Sequence, residues 1–410
     1  MTENTTGQPT FENLDIAPKL LDQIARQQFD QPTPIQLQAI PMAMQGRDII
    51  GIAQTGTGKT LAFAIPIIQR LSREGGIGLV LLPTRELAEQ VEEEFCKYGN
   101  RFGLRTAVLI GGASMNRQID DLHAKPHIII ATPGRLIDHL EQKNLTLSNV
   151  RYLVLDEADR MLDMGFEPQI RKVLVTVPNK RQTFLFSATM PEKITKIIRK
   201  YMSNPERIEV APAGTAAELV KQVGYVVEKS DRLRLLVKLL TDSTGKILVF
   251  SRTKHGAHKI SYTLRKAGLN TAELHSDRSQ AQRREALQGF KTDRFRILVA
   301  TDIASRGIDV SDIEFVINFD LPDNIEDFIH RIGRTGRAGK KGIAISFVSR
   351  DQQEELGAIE NLIHDRLDLK PLPELPNLPA MPKHVSNVKR RQPYGRPTSR
   401  GNSSRPRFRR

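Results

Sequence analysis

The sequence predicts two tandem α/β domains, each built on a parallel sheet, followed by a disordered basic C-terminal tail. Three observations lead there. Short apolar runs alternate with amphipathic segments over most of the chain, the pattern of buried parallel strands joined by crossover helices. Polar, glycine-rich stretches fall at the carboxyl ends of those runs, where open α/β sheets gather ligands. A chain of 410 residues is too long for one core.

Residues 1–10 read as a disordered N-terminus. From Phe11 to about Gln28 a lead-in becomes helical, with Pro18 tolerated in its first turn and Leu14, Ile16, Leu20, Leu21 and Ile24 as its apolar set. The segment Phe29-Asp30-Gln31-Pro32-Thr33-Pro34-Ile35-Gln36 follows, its two prolines fixing a rigid turn. The Gln36 amide carries a donor and an acceptor side by side, matching adenine and not guanine. Phe29 offers a face for stacking on a base, although most phenylalanines serve a core.

The first domain is organised around Ala53-Gln54-Thr55-Gly56-Thr57-Gly58-Lys59-Thr60, between the apolar run Asp48–Ile52 and a segment that can open a helix. Strand, glycine-rich turn, Lys-Thr, helix is the context of a phosphate-binding loop. Backbone N–H groups curl around phosphate oxygens, Lys59 reaches the β- and γ-phosphates, and the Thr60 hydroxyl ligates Mg²⁺. Ala53 stands where the general pattern has its first glycine, so the first turn must avoid positive φ.

Further strands are expected at Leu79–Leu82, Ala107–Ile110, His127–Ala131, Tyr152–Leu155 and Thr183–Phe186. At their ends lie Pro83-Thr84-Arg85-Glu86-Leu87, Gly111-Gly112, Thr132-Pro133-Gly134-Arg135, Asp156-Glu157-Ala158-Asp159 and Ser187-Ala188-Thr189. Asp156 at a strand end beside a phosphate loop can hold Mg²⁺ through its water shell, and Glu157 can polarise an attacking water. A merely solvated acidic strand end is the plainer reading.

Residues 208–220 are small and flexible and read as an interdomain linker. A second α/β series follows at Lys246–Phe250, Ala272–His275, Arg296–Ala300, Phe315–Asn318 and Gly342–Phe347, with no phosphate loop of its own. It carries His330-Arg331-Ile332-Gly333-Arg334-Thr335-Gly336-Arg337, whose guanidinium groups can stabilise a transferring phosphoryl group or simply form a solvated basic loop. The domain boundaries expected are 11–207 and 221–368, with a proline-rich connector and basic disordered tail over 369–410.

The net charge of +14 is unevenly placed: Lys383–Arg410 holds ten Lys/Arg and no Asp/Glu, leaving about +4 for the rest. Arginine among Gly, Ser and Pro is the composition of a nucleic-acid tether, and also of a solubilising tail. No apolar run reaches the roughly 18 residues of a membrane span, the first residues lack a signal-peptide core, and the single Cys96 excludes an internal disulfide and a multi-cysteine metal site. Cys96 reads as a packing residue on a helix. A cytoplasmic protein without a membrane partner is expected.

Taken in order over about residues 11–368, these segments resemble the DEAD-box ATP-dependent RNA helicases. Pro32–Gln36 is similar to that family's Q motif, Ala53–Thr60 to motif I, Pro83–Leu87 to motif Ia and Thr132–Arg135 to motif Ib. Asp156–Asp159 spells the family name, and Ser187–Thr189 resembles motif III. Leu248–Thr253 is similar to motif IV, Gln280 and Arg283 to its Q-x-x-R extension, Thr301–Asp309 to motif V and His330–Arg337 to motif VI. Ala53 is usual in the family; Ser276 in His275-Ser276-Asp277 stands where many members have Gly. The Arg252–Ala257 stretch and the short basic tail look most like the bacterial RhlE-type branch.

The resemblance implies two RecA-like domains, ATP and Mg²⁺ in the cleft, and RNA across the opposite side. It implies that Phe29 and Gln36 recognise adenine, that residues 53–60 with Lys59 and Thr60 hold phosphates and metal, and that Asp309 meets the ribose. It implies catalytic roles for Lys59, Asp156, Glu157 and the arginine fingers Arg334 and Arg337. It gives coupling roles to Ser187, Thr189, Asp159 and His330, and RNA-backbone contacts to Thr84, Arg85, Gly112, Thr132, Gly134, Arg135 and Thr301. The expected activity is local, non-processive unwinding or remodelling of RNA duplexes and RNA–protein complexes by a monomer, with ribosomal particles or RNA-decay machinery as candidate partners. A DNA translocase, a non-hydrolysing RNA clamp and a strand-annealing chaperone acting through the tail are the alternatives.

Overall fold

A computed structural model describes residues 9–53, 56–210, 220–302, 310, 312–336 and 342–377. Gln54, Thr55, Asp309, Arg337, residues 211–219 of the expected linker, and residues 1–8 and 378–410 of the expected disordered ends lie outside the described residues.

Two seven-stranded sheets form the frame, every pairing parallel. The first contains β1 (Ile49–Ile52), β2 (Ile77–Leu81), β3 (Thr106–Leu109), β4 (Ile128–Ala131), β5 (Val150–Leu155), β6 (Gln182–Ser187) and β7 (Glu206–Glu209), in the order β3-β4-β2-β5-β6-β1-β7. The second contains β8 (Val220–Val226), β9 (Lys246–Phe250), β10 (Thr271–Leu274), β11 (Ile297–Ala300), β12 (Ile313–Asn318), β13 (Gly342–Val348) and β14 (Asp368–Lys370), in the order β10-β11-β9-β12-β13-β8-β14. Adding seven to each strand number of the first order gives the second, so the two lobes share one topology. These are tandem RecA-like α/β lobes.

The strands β1, β4, β6, β10 and β11 are buried along their length, because crossover helices cover both faces of a parallel sheet. In the first lobe α1 (Pro18–Arg26), α2 (Pro34–Met44), α3 (Lys59–Glu74) and α4 (Arg85–Gly99) close one face. Pro18 and Pro34 both sit in the first turn of their helices, where a missing N–H removes no bond. Phe63 of α3 packs against Phe95 of α4 and Phe186 of β6, with ring centroids 6.1 and 5.6 Å apart. The opposite face carries α6 (Pro133–Glu141), α7 (Ala158–Asp163), α8 (Glu167–Thr176) and α9 (Glu192–Tyr201), after α5 (Met115–His123) at the β3 edge. The second lobe carries α10 (Arg232–Thr241), α11 (Lys254–Lys266), α12 (Gln280–Lys291), α13 (Glu326–Ile332) and α14 (Gln353–Ile363).

Three strands differ from the sequence expectation. β7 and β14 are edge strands with exposed positions, so no apolar run marks them. β8 begins at Val220, the last residue of the expected linker, and β14 crosses the expected boundary at 368. Past β14 the chain stays bound: Arg234 donates to the carbonyls of Leu375 and Pro376 at 3.2 and 3.0 Å. The start of the proline-rich stretch is therefore packed on α10. Cys96 is half-buried on α4, within 3.5 Å of Glu92 and Thr106. No helix among the described residues is long and apolar enough to cross a membrane.

Candidate functional site

Strand order sorts the motifs into two groups. β5, β6 and β1 are neighbours, and their carboxyl ends carry Asp156–Asp159, Ser187–Thr189 and the phosphate loop. β3, β4 and β2 form the other half, and their ends carry Gly111-Gly112, Thr132–Arg135 and Thr84-Arg85.

In the first group Gly56 and Gly58 have φ of 85° and 88°, a left-handed backbone that favours glycine. A Cβ on Gly58 would also collide with the Gln36 amide. That amide already makes two backbone bonds, its oxygen accepting from Thr33 N–H at 3.0 Å and its nitrogen donating to the Gly58 carbonyl at 3.0 Å, which leaves one N–H and one lone pair for a ligand. Lys59, the first residue of α3, is buried and donates to the Ala53 carbonyl at 2.9 Å, folded back across its own loop. Phe29 is 45% exposed at the rim, free to take a stacking partner rather than serving the core.

Asp156 and Glu157 are buried. Burial raises the Asp156 carboxyl to about 6, against the nearby charge of Lys59. Burial also acts on Glu157, but Arg160, Lys59 and Arg334 outweigh it and hold that carboxyl well below its usual range. Glu157 has φ 51°, ψ 50°, an uncommon conformation for a non-glycine residue, and strain of this kind collects at functional sites. Arg160 pairs with Glu157 at 3.1 Å.

Asp159 ties this strand end to the next. Its Oδ2 accepts from the N–H groups of Ala188 and Thr189, both at 2.9 Å, and from the Thr189 hydroxyl at 3.1 Å, while its own N–H donates to Ser187 Oγ at 3.3 Å. Movement at Asp156–Asp159 must therefore move Ser187–Thr189.

The second lobe completes the site. A cleft of about 540 Å³ is lined by Phe29, Gln36, Gly56, Gly58, Lys59, Thr60, Asp156 and Glu157 from the first lobe and by Lys291 and Arg334 from the second. Arg334 is buried and donates to the His330 carbonyl at 3.2 Å. Burial first, and the Arg160 charge second, push the His330 imidazole down to about 3, so it is neutral at physiological pH. Arg331 is fully buried: it grips both carboxylate oxygens of Asp302, donates to Asn318 Oδ1 at 3.0 Å, and stacks 4.9 Å from the Phe250 ring.

In the second group Thr84 caps α4, accepting from Leu87 N–H at 3.3 Å. A Cβ at Gly112 (φ 79°) would collide with the Arg85 guanidinium. Burial first, then the charges of Arg283 and Arg135, lower the pKa of Arg85. Arg135 donates to the Ala113 carbonyl at 3.2 Å. Thr132 and Gly134 lie at the start of α6, where nothing within 4 Å would meet a Cβ on Gly134. Thr301 follows β11 in the second lobe, its N–H bonded to the Leu274 carbonyl at 3.2 Å. The lobes are bridged here: Arg283 pairs with Glu86 at 2.6 Å in a buried contact, and Gln280 donates to Glu89 at 3.0 Å.

Sequence reasoning missed Arg160 and Glu86 as site residues, and it grouped Arg331 with the arginines that can face a phosphoryl group, whereas that guanidinium is buried on Asp302 and Asn318 and does not line the cleft. Charge placed next to a motif was the available signal, but their partners are set by the fold. Among the described residues one mixed cluster has the makings of a metal site, His258, Glu273 and His275. Its carboxylate already faces Arg265 and Arg278, which compensate the buried charge.

Two RecA-like lobes, a phosphate loop in one and an arginine of the other in the same cleft, define a two-lobe nucleoside triphosphatase. The DEAD/DEAH box helicase family model matches residues 33–197, and the helicase conserved C-terminal domain model matches residues 231–339. The ATP-dependent rRNA helicase RRP3 of Candida albicans is 44% identical over 383 residues, 92% of this chain and 72% of that protein. The DEAD-box ATP-dependent RNA helicase CshA of Bacillus cereus is 43% identical over 367 residues, 89% and 70% of the two chains. S. cerevisiae Dbp5 bound to RNA and ADP BeF3 superposes with a TM-score of 0.79 at 31% identity, covering 88% of this chain and 96% of that one. The chain belongs to the DEAD-box ATP-dependent RNA helicases, and it uses ATP to unwind and remodel RNA.

Proposed function

We propose that hydrolysis runs in the cleft between the lobes and that RNA is held by the β2–β4 half of the first lobe and the facing strand ends of the second. One observation carries this reading: Lys59, Asp156 and Glu157 of the first lobe and Arg334 of the second line a single cleft of about 540 Å³. Phe29 stacks on the base and Gln36 reads its edge. Lys59 exchanges the Ala53 carbonyl for phosphate oxygens. Glu157, kept ionised, orients the attacking water, and Arg334 with Arg337 stabilises charge on the transferring group. Asp309 meets the ribose.

Mg²⁺ fits this donor set. Asp156 is a buried carboxylate whose charge Lys59 leaves only partly compensated, and the Thr60 hydroxyl stands at the start of α3. When bound, the ion neutralises phosphate charge.

Arg283 and Arg135 both repel Arg85, and phosphate oxygens of RNA would relieve that repulsion. Contacts to phosphate carry no sequence information, so recognition is largely sequence-nonspecific. Because the bridges at Glu86 and Glu89 form only with the lobes together, RNA promotes hydrolysis by favouring closure. Asp159 carries the signal to Ser187 and Thr189, and His330 receives it across the seam.

Unwinding is local, a few base pairs per closure, and falls off on duplexes of many tens of base pairs. The Arg252–Ala257 stretch and the basic tail favour the RhlE-type branch. The rRNA helicase name of one relative supports ribosomal particles as the setting, with a monomer in the cytoplasm as the working form.

The test is steady-state ATPase without nucleic acid, with single-stranded RNA, or with the matching DNA, for wild type and Glu157→Gln. Stimulation by RNA alone, lost in the variant, is expected. Equal stimulation by DNA would reject RNA selectivity, and turnover surviving in the variant would reject the role of Glu157.

A further inference from the structure

Arg160 follows directly on Asp156–Asp159 and has been given no task in the reaction. It lies in the first turn of α7, three residues after Glu157, and its Nη1 stands 3.1 Å from Glu157 Oε2. Both side chains are only 4% exposed. A buried ion pair of this kind adds little stability over apolar residues of the same volume, so its presence asks for another reason.

The surroundings supply one. Lys59 and Arg334 also act on the Glu157 carboxylate, so three cations compete for one buried anion. Lys59 and Arg334 line the cleft and must face phosphate; Arg160 does not line it. Its far side instead closes a narrow crevice with His330, Arg331, Arg334 and Asp302 of the second lobe. We propose that Arg160 is a positioning residue for hydrolysis: as the dedicated counter-ion of Glu157, it fixes one carboxylate oxygen, leaves the other for the attacking water, and keeps Glu157 from capturing Lys59 or Arg334.

The proposal rests on the reading of Glu157 as the water-orienting group. The geometry favours Arg160 for the task because its backbone is locked as well: its N–H donates to Asp159 Oδ1 at 2.9 Å, and the other oxygen of Asp159 holds Ala188 and Thr189. The counter-ion is thus fixed to the element that couples the strand ends. Removing it frees Glu157 to turn toward the phosphate-binding cations, a displacement of the size that lowers turnover by about 10²-fold.

The experiment compares Arg160→Met, Arg160→Lys, Glu157→Gln and the Arg160→Met/Glu157→Gln double variant by RNA-stimulated ATPase, with thermal melting of each full-length protein. Arg160→Met is expected to lower kcat by about 10²-fold with the KM for ATP unchanged. Arg160→Lys, which keeps the charge, is expected to return kcat to within about tenfold of wild type. The double variant is expected to match Glu157→Gln alone, because Arg160 acts through Glu157. Should Arg160→Met melt below the assay temperature, the lysine variant and its double with Glu157→Gln carry the same comparison. A kcat within about twofold of wild type in folded Arg160→Met overturns the proposal and leaves the role of Glu157 standing. So does a double variant slower than Glu157→Gln by the full Arg160→Met factor. Wild-type turnover in Glu157→Gln overturns the reading of Glu157 and the proposal with it.

Discussion

The two lobes share one strand order but treat the same corner of the sheet in opposite ways. In the first lobe, β1 leads through a glycine turn to Lys59 at the head of α3, facing Asp156 beyond β5. In the second lobe, β8 leads to Arg232 at the head of α10, facing Asp320 beyond β12. Arg232 is buried with both terminal nitrogens engaged: it pairs with Asp320 at 2.9 Å and donates to the Phe319 carbonyl, to Ser349 at 2.6 Å and to Gln352 at 2.9 Å. Asp320 accepts further bonds from Arg252 N–H at 3.0 Å and the Ser251 hydroxyl at 3.3 Å. One corner is closed by its own ion pair. The other keeps a lysine folded on a carbonyl and a carboxylate raised to about 6, charges only partly compensated and ready for a ligand. A binding site here is an incompletely satisfied version of a structural ion pair.

Variants at matching corners should separate activity from stability. The largest effect is expected from Arg334→Ala, which takes the second lobe's cation out of the first lobe's cleft. RNA-stimulated turnover should fall by about 10³–10⁵-fold with little change in melting, measured by steady-state ATPase. Arg232→Met, at the closed corner, should do the reverse. It strips a buried partner from Asp320 and should destabilise the second lobe by about 3 kcal/mol, near the low end for a broken buried pair because Asp320 keeps its other bonds. Urea unfolding checks this, and an unchanged midpoint would remove the contrast between the corners.

Asp156→Asn should move stability the other way. The folded carboxyl titrates near 6, above its unfolded value of 3.8, so its favourable contribution is complete below pH 3.8 and is lost as pH rises through about 6. At pH 8 it is gone, and a neutral amide should stabilise the nucleotide-free protein by up to about 3 kcal/mol while abolishing hydrolysis. Denaturant curves should show the gain at both pH 8 and pH 5, about half as large at pH 5, because it vanishes only below pH 3.8. The smallest effect belongs to Arg234→Ala, which releases the Leu375 and Pro376 carbonyls and should cost about 1 kcal/mol, read as a shift of a few degrees in melting.

Most of the frame is legible in the sequence because buried parallel strands such as Ile128–Ala131 and Ile297–Ala300 are unbroken apolar runs. β7, with Glu206 and Glu209 at its ends, and β14, with Asp368 and Lys370, carry edge chemistry that composition cannot tell from loop. β8 mixes Lys221 and Gln222 into its run. The phosphate loop and Asp156-Glu157 are legible because a local spacing defines them. Arg232 was not, since its partner Asp320 lies 88 residues away and only the sheet brings them together. Gln36 was read as a base contact alone, and nothing local reveals that its amide also holds Gly58.

That amide has a consequence for selectivity. One oxygen and one nitrogen link the turn before α2 to the carbonyl that begins α3, so the group proposed to read a nucleobase is a hinge pin of the cradle proposed to grip its phosphates. A mismatched base would twist the pin, and the error would be registered at the far end of the ligand. Discrimination between nucleotides would then surface in how fast the bound triphosphate is cut as much as in how tightly it is held.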